Sequence, residues 1–464
     1  MTPWMLGVGG VTFLAGLLFG YDQGVISGAL PLLQVDLDLS TLESEIVTSW
    51  VTLGALFGAL VAGGTADRIG RRGTAVGAGV LFAIGALVET VAPDAAVLTV
   101  GRVITGLGVG VASVVAPLYA AEMAPKRLRG RFVSTYQLAI TVGIFLAYLA
   151  DDALTSSDRW RLMFALAVIP GVALAIGFLV MPESARWLLK MGRRDEARSS
   201  LVKVDGPGVA DDHLATLERD LEAQELEGQA GWGEVFSPGL RRALWVGIGL
   251  AVFQQVTGIN AIIYYANEIF AEAGFTTAEE QAKATLYAVG ATNVLATFVA
   301  VAWVDRFGRR PLLFTGLVGM GVSLAAVGLS FAALENNPDG EASTVGGIVT
   351  VLALVVFIAS FAFSMGPVVW TLISEIYPNR VRGRAISVAT AVNWFSAFIV
   401  AQFFLSIVDA IGEAPTFLVF SALCVVTYVF VWRYVPETKG RSLEEIQERW
   451  VRSGDRMLEE EPAT

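Results

Sequence analysis

The stretch GGTADRIGRR at residues 63–72 recurs as AWVDRFGRR at residues 302–310, and this repetition decides the fold. Two further stretches recur in the same order: PLYAAEMAPKRLRGR (117–131) returns as TLISEIYPNRVRGR (371–384), and PESARWLL (182–189) returns as PETKGRSL (436–443). Asp67 and Asp305 are 238 residues apart, and Glu122 and Glu375 are 253 apart. Three blocks repeated at nearly one spacing indicate two copies of one structural unit.

Each charged block lies between long apolar runs, which indicates that the unit is embedded in a membrane. Apolar residues make up 55% of the 464-residue chain and charged residues 16%, and the mean hydropathy is +0.62. This composition is typical of membrane proteins. Because a helix needs about 20 apolar residues to cross the hydrocarbon, the sequence predicts twelve spans, over residues 5–28, 46–66, 73–92, 96–121, 132–150, 161–181, 243–268, 284–304, 311–333, 346–373, 385–408 and 414–434.

Six of these spans precede a polar stretch and six follow it, which predicts an all-α membrane protein of two pseudo-symmetric bundles. We expect a six-helix bundle over 1–181, a cytoplasmic helical linker over 182–242, a second bundle over 243–435 and a cytoplasmic tail over 436–464. If both termini are cytoplasmic, the loops on the other face carry only Arg159, Arg161 and Lys283 as basic residues. The sequence therefore predicts a multi-pass plasma-membrane protein in that orientation.

Composition also narrows the class of function. The chain has no GxxxxGK[ST] motif, so ATP-driven chemistry has no support. It shows no nucleophile constellation, metal-ligand cluster or cofactor-binding loop, so we expect no enzymatic activity, metal or cofactor. The one cysteine, Cys424, lies in an apolar span and predicts no disulfide. We expect no nucleic-acid partner. The net charge of −11 indicates either solvated loops or adaptation to high salt.

Two ionisable residues inside the spans are candidates for a proton switch. Asp22 lies in LLFGYDQGVISG of the first span and Arg102 in VGRVITGLGVG of the fourth. Charges at this depth are costly and usually functional. We predict that the two pair, and that protonating Asp22 releases Arg102. A static structural pair is the alternative, and Glu89 is a weaker candidate for the proton carrier.

The other polar residues inside the spans are mostly neutral amides. An amide both donates and accepts hydrogen bonds, which suits hydroxyl groups, and nearby Trp370 and Trp394 offer aromatic faces to a sugar ring. These residues predict a site for a neutral polyhydroxylated solute, although any one of them could instead join helices to each other. The candidates are Gln137, Gln254, Gln255, Asn260, Asn293 and Asn393.

The repeated charged blocks predict a gate at the cytoplasmic face. By the symmetry of the two copies, we expect Glu122 to pair with Arg382 of the other half, and Glu375 to pair with Arg129. Several such pairs would bias an equilibrium between two states. The alternative is that these charges only set the topology. The remaining predicted members of the gate are Asp67, Arg71, Glu183, Arg186, Asp305, Arg309 and Glu437.

Over residues 4–443 the chain resembles the sugar porter family of the major facilitator superfamily. The resemblance rests on GYDQGVISG (20–28), DRIGRR (67–72), GRVITGLGVG (101–110), PESARWL (182–188), QQVTGINAIIYY (254–265), VDRFGRR (304–310), GPVVW (366–370), EIYPNRVRGR (375–384) and PETKG (436–440). It implies two six-helix bundles. It also implies sugar contacts at the six amides and Trp370, and an aromatic lining of Phe19, Tyr264, Phe361 and Trp394.

The resemblance also bears on energy coupling. Proton-coupled members of the family carry Asp where this chain has Asp22, whereas facilitative animal members carry Asn. Asn393 stands where some bacterial members have Gln, so the sugar preference does not transfer. We therefore predict a monomeric importer of a neutral monosaccharide with protons, acting by alternating access. A passive sugar uniporter is the alternative in mechanism, and a non-transporting sugar sensor or a drug–proton antiporter is less favoured.

Overall fold

The computed structural model describes residues 2–124, 129–155, 159–227, 231–303, 307–336, 341–377 and 381–439. Within these ranges the regular structure is helical throughout, with one π-helical segment among the α-helices. The first half of the chain forms five long helices, α1 (Pro3–Asp36), α2 (Thr41–Thr90), α3 (Ala95–Met123), α4 (Arg129–Thr155) and α5 (Trp160–Val180).

Helix α2 contains two membrane-crossing segments, because its chain turns sharply at Gly70. This residue has φ +89° and ψ 165°, a left-handed conformation that glycine adopts without a steric penalty. The 50-residue helix therefore accounts for the second and third predicted spans. Its N-terminus is fixed by a capping box, in which the Ser40 hydroxyl accepts from the Glu43 N–H and the Glu43 carboxylate accepts from the Ser40 N–H.

Glycines allow the helices of the first half to pack closely. A Cβ atom at Gly20 of α1 would collide with the Ile140 carbonyl of α4. On α2, a Cβ at Gly54 or Gly58 would collide with the carbonyl of Val103 or Leu107 on α3. The Gly54–Gly58 pair therefore packs within the bundle, as small residues commonly do between membrane helices.

The close contact at Gly20 leads to a stability prediction with a control on the same helix. We expect Gly20→Ala to destabilise the protein by about 1–3 kcal/mol, because the backbones of α1 and α4 must move apart. Gly10→Ala meets no atom within 4 Å, and should be neutral or stabilising by up to about 1 kcal/mol. Thermal unfolding in detergent measures both. An equal change in the two variants would contradict the close packing of α1 against α4.

Four helices connect the halves: α6 (Ala185–Lys190), α7 (Arg194–Asp205), α8 (Pro207–Glu227) and α9 (Trp232–Val235). Helices α6, α7 and α8 share a small apolar core of their own that includes Leu188, Leu201 and Leu214. The Thr2 hydroxyl, just before α1, donates to the Val204 carbonyl at 2.6 Å. These contacts define the linker end of the molecule, and the opposite end is called the far end below.

The second half contains several interrupted helices. Its elements are α10 (Pro238–Val256), α11 (Ile259–Tyr264), α12 (Ala266–Glu272), α13 (Ala278–Ala284), a π-helical segment (Thr285–Ala291), α14 (Thr292–Trp303), α15 (Arg309–Asn336), α16 (Glu341–Phe363), α17 (Met365–Glu375), α18 (Arg382–Ile411) and α19 (Glu413–Tyr434). Interruptions at Gly258 and Ser364 divide two of the crossings, and the π-helical segment lies within a third. Broken helices of this kind are common around transporter sites.

The predicted all-α membrane fold is confirmed. Ten described helices are long and apolar enough to cross a membrane by length and composition. The two segments of α2 and the run from α13 to α14 bring the crossings to the predicted twelve. Cys424 is buried in α19, where its Cβ lies 3.4 Å from the position of a Cβ built at Gly321 of α15.

Hydrogen bonds join the two halves at the far end. The Ser49 hydroxyl donates to Gln402 Oε1 at 2.7 Å, and the Thr41 hydroxyl donates to Asp409 Oδ2 at 3.1 Å. The buried Glu45 carboxylate accepts from the N–H and the hydroxyl of Ser406 at 2.6 and 2.7 Å. These contacts between α2 and α18 form the far-end seal. A cavity of about 230 Å³ lies beside the seal, lined in part by Gln34, Ser44, Glu268, Phe404 and Asp409.

Candidate functional site

Four side-chain amides form a continuous hydrogen-bonded chain in the second half. Asn260 Nδ2 donates to Gln255 Oε1 at 2.7 Å, and Gln255 Nε2 donates to Asn393 Oδ1 at 3.1 Å. Asn393 Nδ2 donates to Gln254 Oε1 at 2.8 Å, and Gln254 Nε2 donates to the Met365 carbonyl at 2.8 Å. All four amides are buried. The structure thus brings together four of the six predicted amides, which we call the amide chain.

The break between α10 and α11 positions this chain. Gly258 has φ +94°, which ends α10 just after Gln254 and Gln255 and lets α11 begin with Asn260 in its first turn. Asn393 reaches the same place from the middle of α18. The second break, at Ser364, precedes Met365 at the start of α17, whose carbonyl receives the last bond of the chain.

Gln23 of the first half extends the amide chain across the interface between the halves. Its Nε2 atom donates to Tyr264 Oη at 3.1 Å and to Asn260 Oδ1 at 3.4 Å. The sequence analysis did not assign Gln23 a role, although this buried amide directly follows Asp22 in an apolar span. Its position makes α1 the helix that contacts the amide chain from the other half.

The predicted aromatic residues surround the same region. Phe19, one turn before Gln23 on α1, contacts Trp394 of α18 with ring centroids 5.3 Å apart. Tyr264 accepts the hydrogen bond from Gln23. Phe361 on α16 and Trp370 on α17 are half-buried on either side of the break at Ser364.

Two predicted amides remain without a side-chain hydrogen bond. Gln137 is half-buried on α4, and Asn293 is buried on α14 just after the π-helical segment. Within the described residues, neither side chain has a hydrogen-bond partner, unlike the members of the amide chain. Their donors and acceptors are therefore available to a polar ligand.

The predicted ion pair between Asp22 and Arg102 is present and fully enclosed. Arg102 Nη1 donates to Asp22 Oδ1 at 2.8 Å, and the two side chains are 0% and 4% exposed. Arg102 Nε donates to the Val47 carbonyl at 3.0 Å. Asp22 and Gln23 are neighbours on α1, so one helix contacts both the ion pair and the amide chain.

At the linker end, charged side chains of the first half bind one another. The Arg71 guanidinium donates to both oxygens of Glu122 at 2.9 and 3.0 Å, and the Ser184 hydroxyl donates to Glu122 at 2.5 Å. Glu183 accepts from the Arg71 N–H at 3.0 Å, just after the turn at Gly70. The exposed Asp67 carboxylate lies 3.0 Å from Arg71 Nη1.

The second half repeats this arrangement with its own residues. Arg309 Nη2 donates to Glu375 Oε1 at 2.9 Å, and the Thr438 hydroxyl donates to Glu375 Oε2 at 2.5 Å. Glu437 accepts from the N–H groups of Arg309 and Arg310 at 3.0 Å each. Burial raises the pKa of Glu437, but these N–H donors and that of Lys439 outweigh burial and leave the pKa below its ordinary value.

The predicted pair between Glu122 and Arg382 is not formed in this structure. Glu122 is bound by Arg71, whereas Arg382 donates to the Tyr377 carbonyl at 3.3 Å. The reason is that α2 and α3 pack directly against each other, so the turn at Gly70 places Arg71 beside Glu122 within one half.

The remaining gate residues lie as follows. Glu375 is bound by Arg309 of its own half. Arg129 is the first residue of α4, but its side chain is not among those that the structure describes. Asp305 lies outside the described residues. Arg186 is half-buried in α6.

A further buried carboxyl group, that of Asp151, was missed by the sequence analysis. Asp151 of α4 is 2% exposed, and its Oδ2 accepts from the Gly28 N–H of α1 at 3.2 Å. Its Oδ1 has no partner among the described residues. Asp151 directly follows a predicted span, and its acidic character next to an apolar run was the available signal. Among all the residues that the structure describes, no group of three His, Cys, Asp or Glu side chains is placed to hold a metal ion.

The comparison with protein families decides the identity. A family model described as "Sugar (and other) transporter" matches residues 8–450. The chain belongs to this sugar transporter family. The transporter is 39% identical over 449 residues to the galactose-proton symporter of Escherichia coli strain K12, covering 96% of this chain and 94% of that protein. It is 38% identical over 439 residues to the D-xylose transporter of Levilactobacillus brevis, covering 94% and 93%.

The transporter also has the architecture of a solved relative. The partially occluded inward-open conformation of the E. coli xylose transporter XylE superimposes with a TM-score of 0.80 at 30% sequence identity. The match covers 95% of this chain and 99% of XylE. The transporter therefore has the major facilitator fold, and its family consists of transporters rather than enzymes.

Proposed function

We propose that the transporter carries a neutral monosaccharide together with protons by alternating access between its two halves. The observation that carries the proposal is the adjacency of Asp22 and Gln23 on α1, one bound to Arg102 and the other to the amide chain. Relatives at 36–39% identity are named as proton symporters for galactose and arabinose. Their names support both a sugar and a proton as substrates.

The chemistry of the amide chain favours an uncharged ligand rich in hydroxyl groups. An amide carries both an NH2 donor group and a carbonyl acceptor. Gln137 and Asn293 can therefore donate to and accept from the hydroxyl groups of a ligand. The amide chain itself carries no formal charge, so an ionic substrate would lack a counter-charge there. The Phe19 and Trp394 rings provide an apolar surface of the kind on which a sugar ring packs. The positions of Phe361 and Trp370 beside the break at Ser364 fit the same role.

Proton coupling follows from what protonation does to the enclosed ion pair. A neutral Asp22 no longer attracts Arg102 as an ion, so the contact between α1 and α3 weakens. Because Gln23 is the next residue, a movement of α1 changes its bonds to Asn260 and Tyr264. Conversely, a sugar that binds the amide chain changes the position of α1. Proton and sugar binding are thereby coupled through one helix.

The structure corresponds to a state that is closed at the far end by the far-end seal. We assign the linker end to the cytoplasm of a plasma-membrane protein, because most basic residues lie there. The two halves, residues 1–181 and 243–435, would then rock against each other. In this view the gate residues hold each half to the segment that follows it. Arg71 and Glu122 of the first half lie with Glu183 of the linker, and Arg309 and Glu375 of the second half lie with Glu437 of the tail.

The test is transport by the purified protein in sealed vesicles with an imposed pH gradient. Labelled D-galactose, D-xylose, L-arabinose, D-glucose and myo-inositol are offered separately. Uptake that exceeds equilibrium and collapses with a protonophore is the expected result. Equilibration without accumulation would instead identify a uniporter, and binding without uptake would identify a sensor. Vesicles that neither bind nor take up any of the five would contradict the sugar assignment.

A further inference from the structure

A second buried carboxylate faces Arg102 from α2. Glu89 Oε1 lies 3.9 Å from Arg102 Nη1, the same nitrogen that lies 2.8 Å from Asp22 Oδ1. The Glu89 side chain is 1% exposed. Three helices thus bring two carboxyl groups and one guanidinium together away from solvent. We call Asp22, Glu89 and Arg102 the buried triad.

The local packing directs Glu89 towards Arg102. The Thr105 hydroxyl donates to Glu89 Oε1 at 2.8 Å, and Thr105 lies one turn after Arg102 on α3. A Cβ atom at Gly101 would lie 2.7 Å from Glu89 Cγ, so the absence of a side chain there makes room for the carboxylate. Glu89 is therefore held against the helix that carries the guanidinium.

The other groups around Arg102 leave N–H donors of its guanidinium free to bind a second carboxylate. Nε donates to the Val47 carbonyl of α2, and the Phe164 ring of α5 lies 6.0 Å from the guanidinium. From α11, the nearby titratable group is Tyr264, whose hydroxyl accepts from Gln23. Arg102 Nη2 has no partner among the described residues.

Charge balance makes a proton part of the buried triad. With both carboxyls ionised, the triad would carry one net negative charge in a site that excludes water, which is unfavourable. One proton bound to either carboxyl makes the triad neutral. The guanidinium then pairs with the carboxylate that remains ionised, so the position of the proton selects its partner.

We propose that Glu89 is the alternate partner of Arg102, and that it receives the guanidinium when a proton binds to Asp22. This assignment rests on the proposed proton coupling. It names the carboxylate that Arg102 contacts once Asp22 is protonated. The proton comes from solution and binds a carboxylate oxygen of Asp22 while Glu89 is ionised, so the net charge of the triad changes from −1 to 0. Arg102 keeps its positive charge and closes the 3.9 Å gap to the Glu89 carboxylate. Release of Asp22 therefore leaves no unpaired guanidinium inside the membrane.

The test is the pH dependence of proton-driven sugar uptake in vesicles for the wild type and Glu89→Gln. Without Glu89, Arg102 has only Asp22 as a carboxylate partner and holds it ionised more strongly. We expect the pH of half-maximal uptake to fall by about one unit in Glu89→Gln. Glu89→Asp should restore part of the difference. Thr105→Val, which only removes the hydroxyl donor to Glu89, should move the profile in the same direction by less.

Glu43→Gln is the matched control. Glu43 is an exposed acid in the first turn of the same helix, where its carboxylate accepts from the Ser40 N–H. Its pH profile should coincide with that of the wild type. Uptake is first scaled to the amount of transporter in the vesicles. If the pH profiles of Glu89→Gln and Thr105→Val then also coincide with that of the wild type, Glu89 is only structural and the proposal is wrong. Thr105→Val alone decides the question if Glu89→Gln does not fold. A wild type without accumulation would contradict the proposed function itself, whereas unchanged variant profiles contradict the assignment of Glu89 alone.

Discussion

Asp22→Asn is expected to abolish sugar accumulation. Under a driving force of about 100 mV the wild type can reach an internal-to-external sugar concentration ratio of about 50, whereas the variant should only reach equal concentrations. One proton moving through that potential supplies about 2.3 kcal/mol, which corresponds to the 50-fold ratio. Asn cannot bind the transported proton, so the ion pair with Arg102 no longer switches. Exchange of labelled for unlabelled sugar should persist, because the amide chain is intact. Vesicle uptake and counterflow, measured on one preparation, separate the two activities.

Asp36→Asn is the control for this substitution. Asp36 is an acid at the end of the same helix, half-exposed and paired with Arg161 at the far end. It should retain accumulation. If Asp22→Asn still accumulates sugar against its gradient, Asp22 does not carry the coupled proton. Loss of exchange together with accumulation would show that the ion pair is needed for sugar movement in general.

Gln255→Ala is expected to weaken sugar binding by about 5- to 150-fold. Gln255 lies in the middle of the amide chain, where it accepts from Asn260 and donates to Asn393. Its removal leaves two buried amides incompletely bonded and deprives the ligand of a donor and an acceptor. The cost of unsatisfied buried groups is about 1–3 kcal/mol. The KM for counterflow and the affinity in equilibrium binding both report this change.

Gln281→Ala provides the comparison for loss of a glutamine. Among the described residues, the Gln281 side chain donates to the Phe275 carbonyl, which lies between α12 and α13 at the far end and outside the amide chain. Its KM should remain within about twofold of the wild type. A similarly unchanged KM for Gln255→Ala would mean that the amide chain joins helices and does not bind the sugar.

The membrane fold and the ion pair could be predicted because the physical alternatives are few. Twelve apolar runs leave little choice of architecture once each charged block is seen to repeat. Asp22 and Arg102 are opposite charges inside apolar helices of one half, where an unpaired charge is costly. The functional roles of both residues stay predictions until transport is measured.

The partners of the gate residues could not be predicted in the same way. The repeat offers Glu122 arginines in its own half and in the other, and sequence symmetry does not distinguish Arg71 from Arg382. The choice depends on how closely α2 approaches α3, which Gly54 and Gly58 permit, and on the turn at Gly70. These are properties of packing between helices that are separate in sequence.

The shape of the amide chain also depends on features that hydropathy does not reveal. Residues 243–268 read as one apolar span, yet the helix breaks at Gly258 and again near Tyr265. The π-helical segment before Asn293 is similarly hidden in a uniform apolar run. Gln23 was overlooked because its bonds to Asn260 and Tyr264 cross between the halves, and sequence separation gives no sign of such a contact.

The position of the single thiol has a practical consequence. Cys424 is 1% exposed within α19, so maleimide and nitroxide reagents should label it poorly in the folded protein. The natural sequence therefore already provides a nearly silent background for spectroscopic reporters. Cysteines introduced at Thr41 and Asp409, which face each other across the far-end seal, would carry a pair of spin labels. The distance between the labels, with and without sugar and at different proton concentrations, would follow the opening of the molecule directly.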